Sequence, residues 1–178
     1  ALIDDILDLS RIESGLLKLH FDYIDINDFI NYISNSFDSE AKEKGIYLKI
    51  NKIGSENILI NTDPVRLKQI LFNFVSNAIK FTEKGGVTVN FETEVISNTV
   101  INLKICVIDT GIGVSENVRN KIFKNFFQND GHSTRKYSGT GLGLSITKNL
   151  TYLLNGAISL ESEIDKGSTF CVNFNNIS

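Results

Sequence analysis

The chain has 178 residues, 42% of them hydrophobic, enough for one well-buried core and too few for two large domains. A formal charge of -3, with no run of five basic residues, argues against a nucleic-acid footprint or an anionic-membrane patch. Apolar stretches are of strand length, so no segment reads as a membrane span, and no signal peptide is visible. The chain opens in mid-pattern and lacks Met, so a piece of a longer protein is expected.

In chain order, residues 1–18 predict a helix with Leu2, Ile6, Leu9 and Leu16 on one stripe. That stripe needs cover, either from the body of the same domain or from a helical bundle with a second chain. Gly15 weakens the helix, and Leu19–Ile24 alternates like a short strand. Phe29, Ile30, Ile33, Phe37 and Ala41 predict a helix over 27–44, with Asp25 or Asn27 as cap and Gly45 as stop. Ile46–Ile50 and Ile58–Ile60 read as strands around a polar turn. Asp63-Pro64 then opens a helix that turns Leu67, Ile70, Leu71, Phe74 and Ile79 inward. Strands are expected at 87–95 and 100–108, a short helix ending at Phe123, a helix over 141–155, and final strands at 158–162 and 169–174. The predicted fold is an α/β two-layer sandwich. Helices lie on one face of a mixed, mostly antiparallel sheet, behind a helical stub. Cys106 and Cys171 sit in apolar, strand-like runs and read as two buried thiols, a disulfide being the lesser alternative.

Four short blocks carry chemistry: Asn73-Phe74-Val75-Ser76-Asn77-Ala78-Ile79-Lys80-Phe81-Thr82, Asp109-Thr110-Gly111-Ile112-Gly113, Gly139-Thr140-Gly141-Leu142-Gly143-Leu144-Ser145, and Gly167-Ser168-Thr169-Phe170. Asn73 and Asn77, four apart on a helix, share one face with Lys80 a turn further on. An Asn carbonyl is a hard oxygen suited to Mg²⁺, and a lysine is a point charge for phosphate. Asp109 ends a strand of Val and Ile, where its carboxylate can accept from an exocyclic amine, while the glycines after it let backbone approach a planar base. The third block opens a helix whose free amides and positive dipole end attract phosphate. It is neither a Walker loop nor a dinucleotide fingerprint.

In this order the blocks resemble the N, G1, G2 and last-glycine motifs of sensor histidine kinase ATP-binding domains. Those share their nucleotide fold with gyrase, the ninety-kilodalton heat-shock chaperones and mismatch-repair ATPases. The resemblance implies an ATP site with Mg²⁺. Asn77 would be the metal ligand, Asn73 and Lys80 phosphate-side contacts, and Phe81 would flank the nucleotide. Asp109 would read the adenine amine with Thr169 assisting, beside Gly111, Ile112 and Gly113. Thr140, Gly141, Leu142, Gly143 and Leu144 would cradle the phosphates. Gln128–Ser138 resembles the family's ATP lid, from which Arg135 and Lys136 would reach the γ-phosphate. Ile122–Gln128, with Phe127, resembles the phenylalanine-rich box before it. Asp5–Gly15 is similar to the end of the second dimerisation helix, so 1–18 is assigned to that helix and 19–178 to the catalytic domain.

Position 73 discriminates between branches. Clamp ATPases need a Glu there to activate water, and Asn takes no proton at neutral pH. Neither His20 nor His132 has the acidic neighbour of a phosphoacceptor. The resemblance therefore implies a cytoplasmic kinase domain whose target is a histidine on a dimerisation domain of the same protein. A response-regulator receiver and homodimerisation in the full-length protein follow from the same likeness. The alternatives are a clamp ATPase, an anti-sigma serine kinase, or a degenerate nucleotide-binding module acting as a regulatory partner.

Overall fold

A computed structural model describes residues 2–55, 58–97, 99–127 and 140–177; Gln128, His132, Arg135, Lys136 and Gly139 lie outside the described residues. The chain opens with α1 (Leu2–Glu13), then β1 (Asp22–Asp25) and α2 (Ile26–Lys44). β2 (Tyr47–Ile53), β3 (Leu59–Thr62) and α3 (Pro64–Phe81) follow. β4 (Gly86–Ser97), β5 (Val100–Asp109) and the short α4 (Glu116–Arg119) lead to α5 (Gly143–Leu153), β6 (Gly156–Glu163) and β7 (Gly167–Ile177).

α3 forms where the sequence places it because its start and its buried face agree. Asp63 accepts from Val65 N and Arg66 N, both at 3.0 Å, and Pro64 occupies the first turn, where a missing amide costs nothing. Asp63 also accepts from His20 N at 2.9 Å, tying the segment after α1 to the start of α3. Leu67, Ile70, Leu71, Phe74, Val75, Ala78 and Ile79 are all buried against the sheet. At the other end, Lys44 Nζ donates to the carbonyls of Ile79 and Lys80, so the last residue of α2 caps the end of α3. The helix α2 itself starts at the Asp25 cap and ends at Gly45, whose φ of 72° is the left-handed conformation expected of it.

The main sheet runs β2-β4-β5-β7-β6, with β2 parallel to β4 and every other pair antiparallel. Helices α2, α3 and α5 cover one face, and inward residues such as Val89, Phe91, Leu103, Ile105, Val107 and Val172 are buried beneath them. Phe74 of α3 packs on Phe170 of β7 with ring centroids 5.3 Å apart. This is the two-layer sandwich the patterning predicts.

Three expectations are corrected. The strands at 47–53 and 59–62 do not join around their turn: β3 pairs antiparallel with β1 in a separate two-stranded sheet, while β2 joins β4. Local periodicity gives strands but not partners. The first helix stops at Glu13 instead of 18, because Gly15 takes a φ of 67° and the backbone turns back on Arg11 and Ile12. Cys106 and Cys171 are a disulfide, with Cα atoms 4.1 Å apart. They stand directly opposite in the β5–β7 register, and their separation of 65 residues hid the pairing from the sequence.

Asp63→Ala removes one buried carboxylate that accepts three backbone amides. It should lower stability by about 1–3 kcal/mol, seen as a fall in Tm of several degrees in thermal denaturation. An unchanged Tm would show that water replaces the cap without loss.

Candidate functional site

A cavity of about 660 Å³ opens between α3, α5 and the adjoining ends of β5 and β7. Asn73, Asn77, Lys80 and Phe81 line it from α3; Thr140, Gly141, Gly143 and Leu144 line it from the start of α5. Asp109, Ser168 and Phe170 form its floor, while Ile112, Val114, Val118 and Ile122 supply an apolar wall. Phe127 closes one side. The slot is apolar along its wall, with the Asp109 carboxylate at one end and the α3 amides, Lys80 and the Asp5 carboxylate at the other.

Asn73 holds the two helices together. Its Nδ2 donates to Thr147 Oγ1 of α5 at 2.7 Å, and its Oδ1 accepts from Asn77 Nδ2 at 3.2 Å. Gly143 presents bare backbone to this carboxamide; a Cβ there would collide with Asn73 Oδ1. The glycine is thus required by packing of one motif on another. Asn77 lines the cleft with its Nδ2 engaged by Asn73.

Asp109 is buried, and its Oδ1 accepts from Gly111 N at 2.8 Å and Ser168 N at 3.3 Å. Burial pushes its carboxyl above the ordinary value of 3.8, and the hydrogen bonds from Gly111 and Ser168 only partly offset this. Gly111 is needed for closeness as well: a Cβ would meet Phe81 O at 2.5 Å and Asp109 Oδ1 at 2.8 Å. At the opposite end, partial burial lowers the pKa of Lys80, whose ammonium lies 5.1 Å from the Phe81 ring centroid. Among the described residues no three His, Cys, Asp or Glu side chains cluster as a metal cage. An Asn carboxamide oxygen such as Asn77 Oδ1 is a hard donor of the kind Mg²⁺ accepts beside a ligand's phosphates and water.

Most residues singled out from the sequence converge here. Leu142 is fully buried in the core and contributes only backbone; its N–H donates to Thr140 Oγ1 at 3.2 Å. Thr169 is a correction. Alternation along β7 turns it to the outer face beside Ile108 and Glu161, while Ser168 faces Asp109. Sequence reasoning also missed Thr147, Gln69 and Asp5. The last two belong to a contact that no periodicity reveals. α1 lies across the mouth of the cleft, with Asp5 Oδ2 accepting from Thr140 Oγ1 at 3.2 Å and Asp8 accepting from Gln69 Nε2 at 2.8 Å. Arg66 adds an ion pair with Asp8 at 3.3 Å. Leu9 is buried, whereas Leu2, Ile3, Ile6 and Leu7 are exposed. The body of the domain therefore covers only part of the predicted stripe.

The chain is similar to known proteins over nearly its whole length. The model of a family described as histidine kinase-, DNA gyrase B-, and HSP90-like ATPase matches residues 62–176. The chain is 43% identical over 171 residues to the autoinducer 2 sensor kinase/phosphatase LuxQ of Vibrio vulnificus, covering 96% of this chain and 20% of that protein. It is 36% identical over 175 residues to the signal transduction histidine-protein kinase BarA of Escherichia coli, covering 98% of this chain and 19% of BarA. The chain thus spans about a fifth of the length of these curated relatives. Among solved structures, full-length ShkA in complex with AMPPNP superposes with a TM-score of 0.82 at 30% identity, over 99% of this chain and 35% of that one. The catalytic domain of the histidine kinase ThkA, 25% identical, gives 0.67 over 88% of this chain and 96% of its own.

Asp109 generates a two-sided prediction. Its raised carboxyl means that the protonated form favours folding. That contribution is fully present below 3.8 and is lost as pH rises through the elevated native value, leaving a buried charge at neutral pH. Asp109→Asn should therefore raise the Tm of the unliganded chain at pH 7, and this gain should shrink as the pH falls toward 3.8. The same change should weaken ATP binding by about 2–4 kcal/mol in calorimetry, since a donor would face the adenine amine. A variant that is less stable at neutral pH, or binds ATP as the parent does, would remove Asp109 from this role.

Proposed function

Because the chain belongs to the histidine kinase-, DNA gyrase B- and HSP90-like ATPase family, we propose that it is the ATP-binding catalytic domain of a sensor histidine kinase. It moves the γ-phosphoryl group of Mg-ATP to a histidine on a dimerisation domain. The observation that carries this reading is the state of position 73. A water-splitting ATPase of this family needs a proton acceptor there. Asn73 has none, and both ends of its carboxamide are engaged by Thr147 and Asn77. A site that transfers phosphate to an external nucleophile has no use for such a base.

The residues take roles set by where they stand. Asp109, with Ser168 behind it, accepts from the adenine amine, and Ile112, Val114, Val118 and Ile122 exclude water from the base. Lys80 and the backbone around Thr140–Gly143 neutralise phosphate charge. Partial burial of Lys80 strengthens that attraction relative to open water. A magnesium ion held by Asn77 Oδ1 would supply further neutralisation of phosphate charge. Arg135, outside the described residues, is assigned to the γ-phosphate. In-line transfer asks little covalent work of the protein, so positioning and charge neutralisation carry the rate. The dimerisation domain of the same protein, a homodimeric full-length kinase and a response-regulator receiver are the proposed partners, on the cytoplasmic side. Among the described residues no helix is long and apolar enough to cross a membrane.

The test uses ATP labelled at the γ-phosphate. The chain alone should hydrolyse it very slowly and fail to label itself. Mixed with a separate dimerisation domain carrying a His followed by an acidic residue, it should transfer label slowly, because the effective concentration provided by tethering is lost. The product should be acid-labile, as phosphohistidine is. Rapid turnover by the chain alone would favour a clamp ATPase, and an acid-stable label a serine kinase.

A further inference from the structure

We infer that Thr147 is a positioning residue for the metal-binding carboxamide, acting through Asn73. The inference rests on the reading of Asn77 as the magnesium ligand. A carboxamide has one oxygen and one nitrogen of nearly equal size, so a ligand Asn is useful only if its oxygen faces the metal. Asn77 does not fix this alone. Its Nδ2 donates to Asn73 Oδ1 at 3.2 Å, which requires Asn73 to present its oxygen and not its nitrogen. Asn73 in turn needs an acceptor for its own Nδ2, and Thr147 Oγ1 supplies one at 2.7 Å.

The path therefore runs from Thr147 through Asn73 to Asn77, leaving Asn77 Oδ1 toward the cleft. Thr147 is 1% exposed at the inner wall of the cleft, so its hydroxyl and not bulk water serves the Asn73 amide in the folded chain. Asn73 packs close to Gly143, where an added Cβ would come within 2.4 Å of its Oδ1. With Val at 147, an Asn73 amide pointing at it would be a buried donor without partner. The opposite rotamer would then be favoured, and it would offer Asn77 a donor and turn Asn77 Nδ2 toward the metal. Nothing in the local pattern marks this threonine. It lies on the second turn of α5, past the glycine motif, at a position that reads as ordinary helix interior.

The experiment measures ADP affinity of the whole chain by calorimetry in excess MgCl₂ and in EDTA. The ratio of the two is the metal-linked gain. Thr147→Val should cut that gain about tenfold, in the range seen when the outer-shell partner of a metal ligand is removed. Its affinity in EDTA should stay within about twofold of the parent's, a difference of no more than ~0.4 kcal/mol. Thr147→Ser, which keeps the acceptor oxygen, should restore the gain. In an Asn77→Ala background, where the gain is already lost, Thr147→Val should remove nothing more. Should Thr147→Val fail to fold by circular dichroism, Thr147→Ala goes through the same two arms. A full metal-linked gain in a folded variant lacking the hydroxyl would overturn the proposal, as would equal losses with and without metal. If Asn77→Ala itself keeps the gain, the ligand assignment fails and the proposal with it.

Discussion

The contact between the Asn73 carboxamide and the first turns of α5 is what makes the cleft a site. α3 and α5 belong to the helical layer, and their packing alone would leave a seam. Asn73 closes that seam at one point: it donates to Thr147 Oγ1 and rests on Gly143 where any side chain would collide. The cavity opens beside this contact, lined by both helices. Two motifs that are some seventy residues apart are therefore one structural unit, and Asn73 also accepts from Asn77 Nδ2. A buried, satisfied polar contact of this kind specifies a geometry more than it adds stability.

Electrostatics divides the cleft along its length. Asp109 at one end of the cleft and Lys80 at the other are both shifted toward their neutral forms, each chiefly by loss of water. A ligand that brings a donor amine to one and an anion to the other relieves both penalties together. α1 lies across the mouth of this arrangement, with Asp5 bound to Thr140 at the phosphate end.

Much of this was legible in the sequence because it depends on local rules. The Asp63-Pro64 cap, the Gly45 stop and the inward face of α3 follow from hydrogen-bonding geometry and period. So do the shared face of Asn73, Asn77 and Lys80, and the place of Asp109 at a strand end. What escaped depends on partners distant in the chain. The β1–β3 pairing takes residues from either side of a helix, and the Cys106–Cys171 link needs the β5–β7 register. Thr169 and Ser168 are adjacent, and only the direction of the pleat decides which one faces Asp109. Thr147 looked like helix interior until α3 was laid against it.

The most direct test of the account is a comparison of Mg-ATP and Mg-GTP binding to the chain by calorimetric titration. The two nucleotides share ribose and phosphates and differ where Asp109 stands. ATP brings a donor amine to the carboxylate, and GTP brings a carbonyl oxygen that repels it. A site built around that hydrogen bond should favour ATP by at least about 100-fold. Equal affinities would contradict it, because the cleft would then be holding phosphates without reading the base.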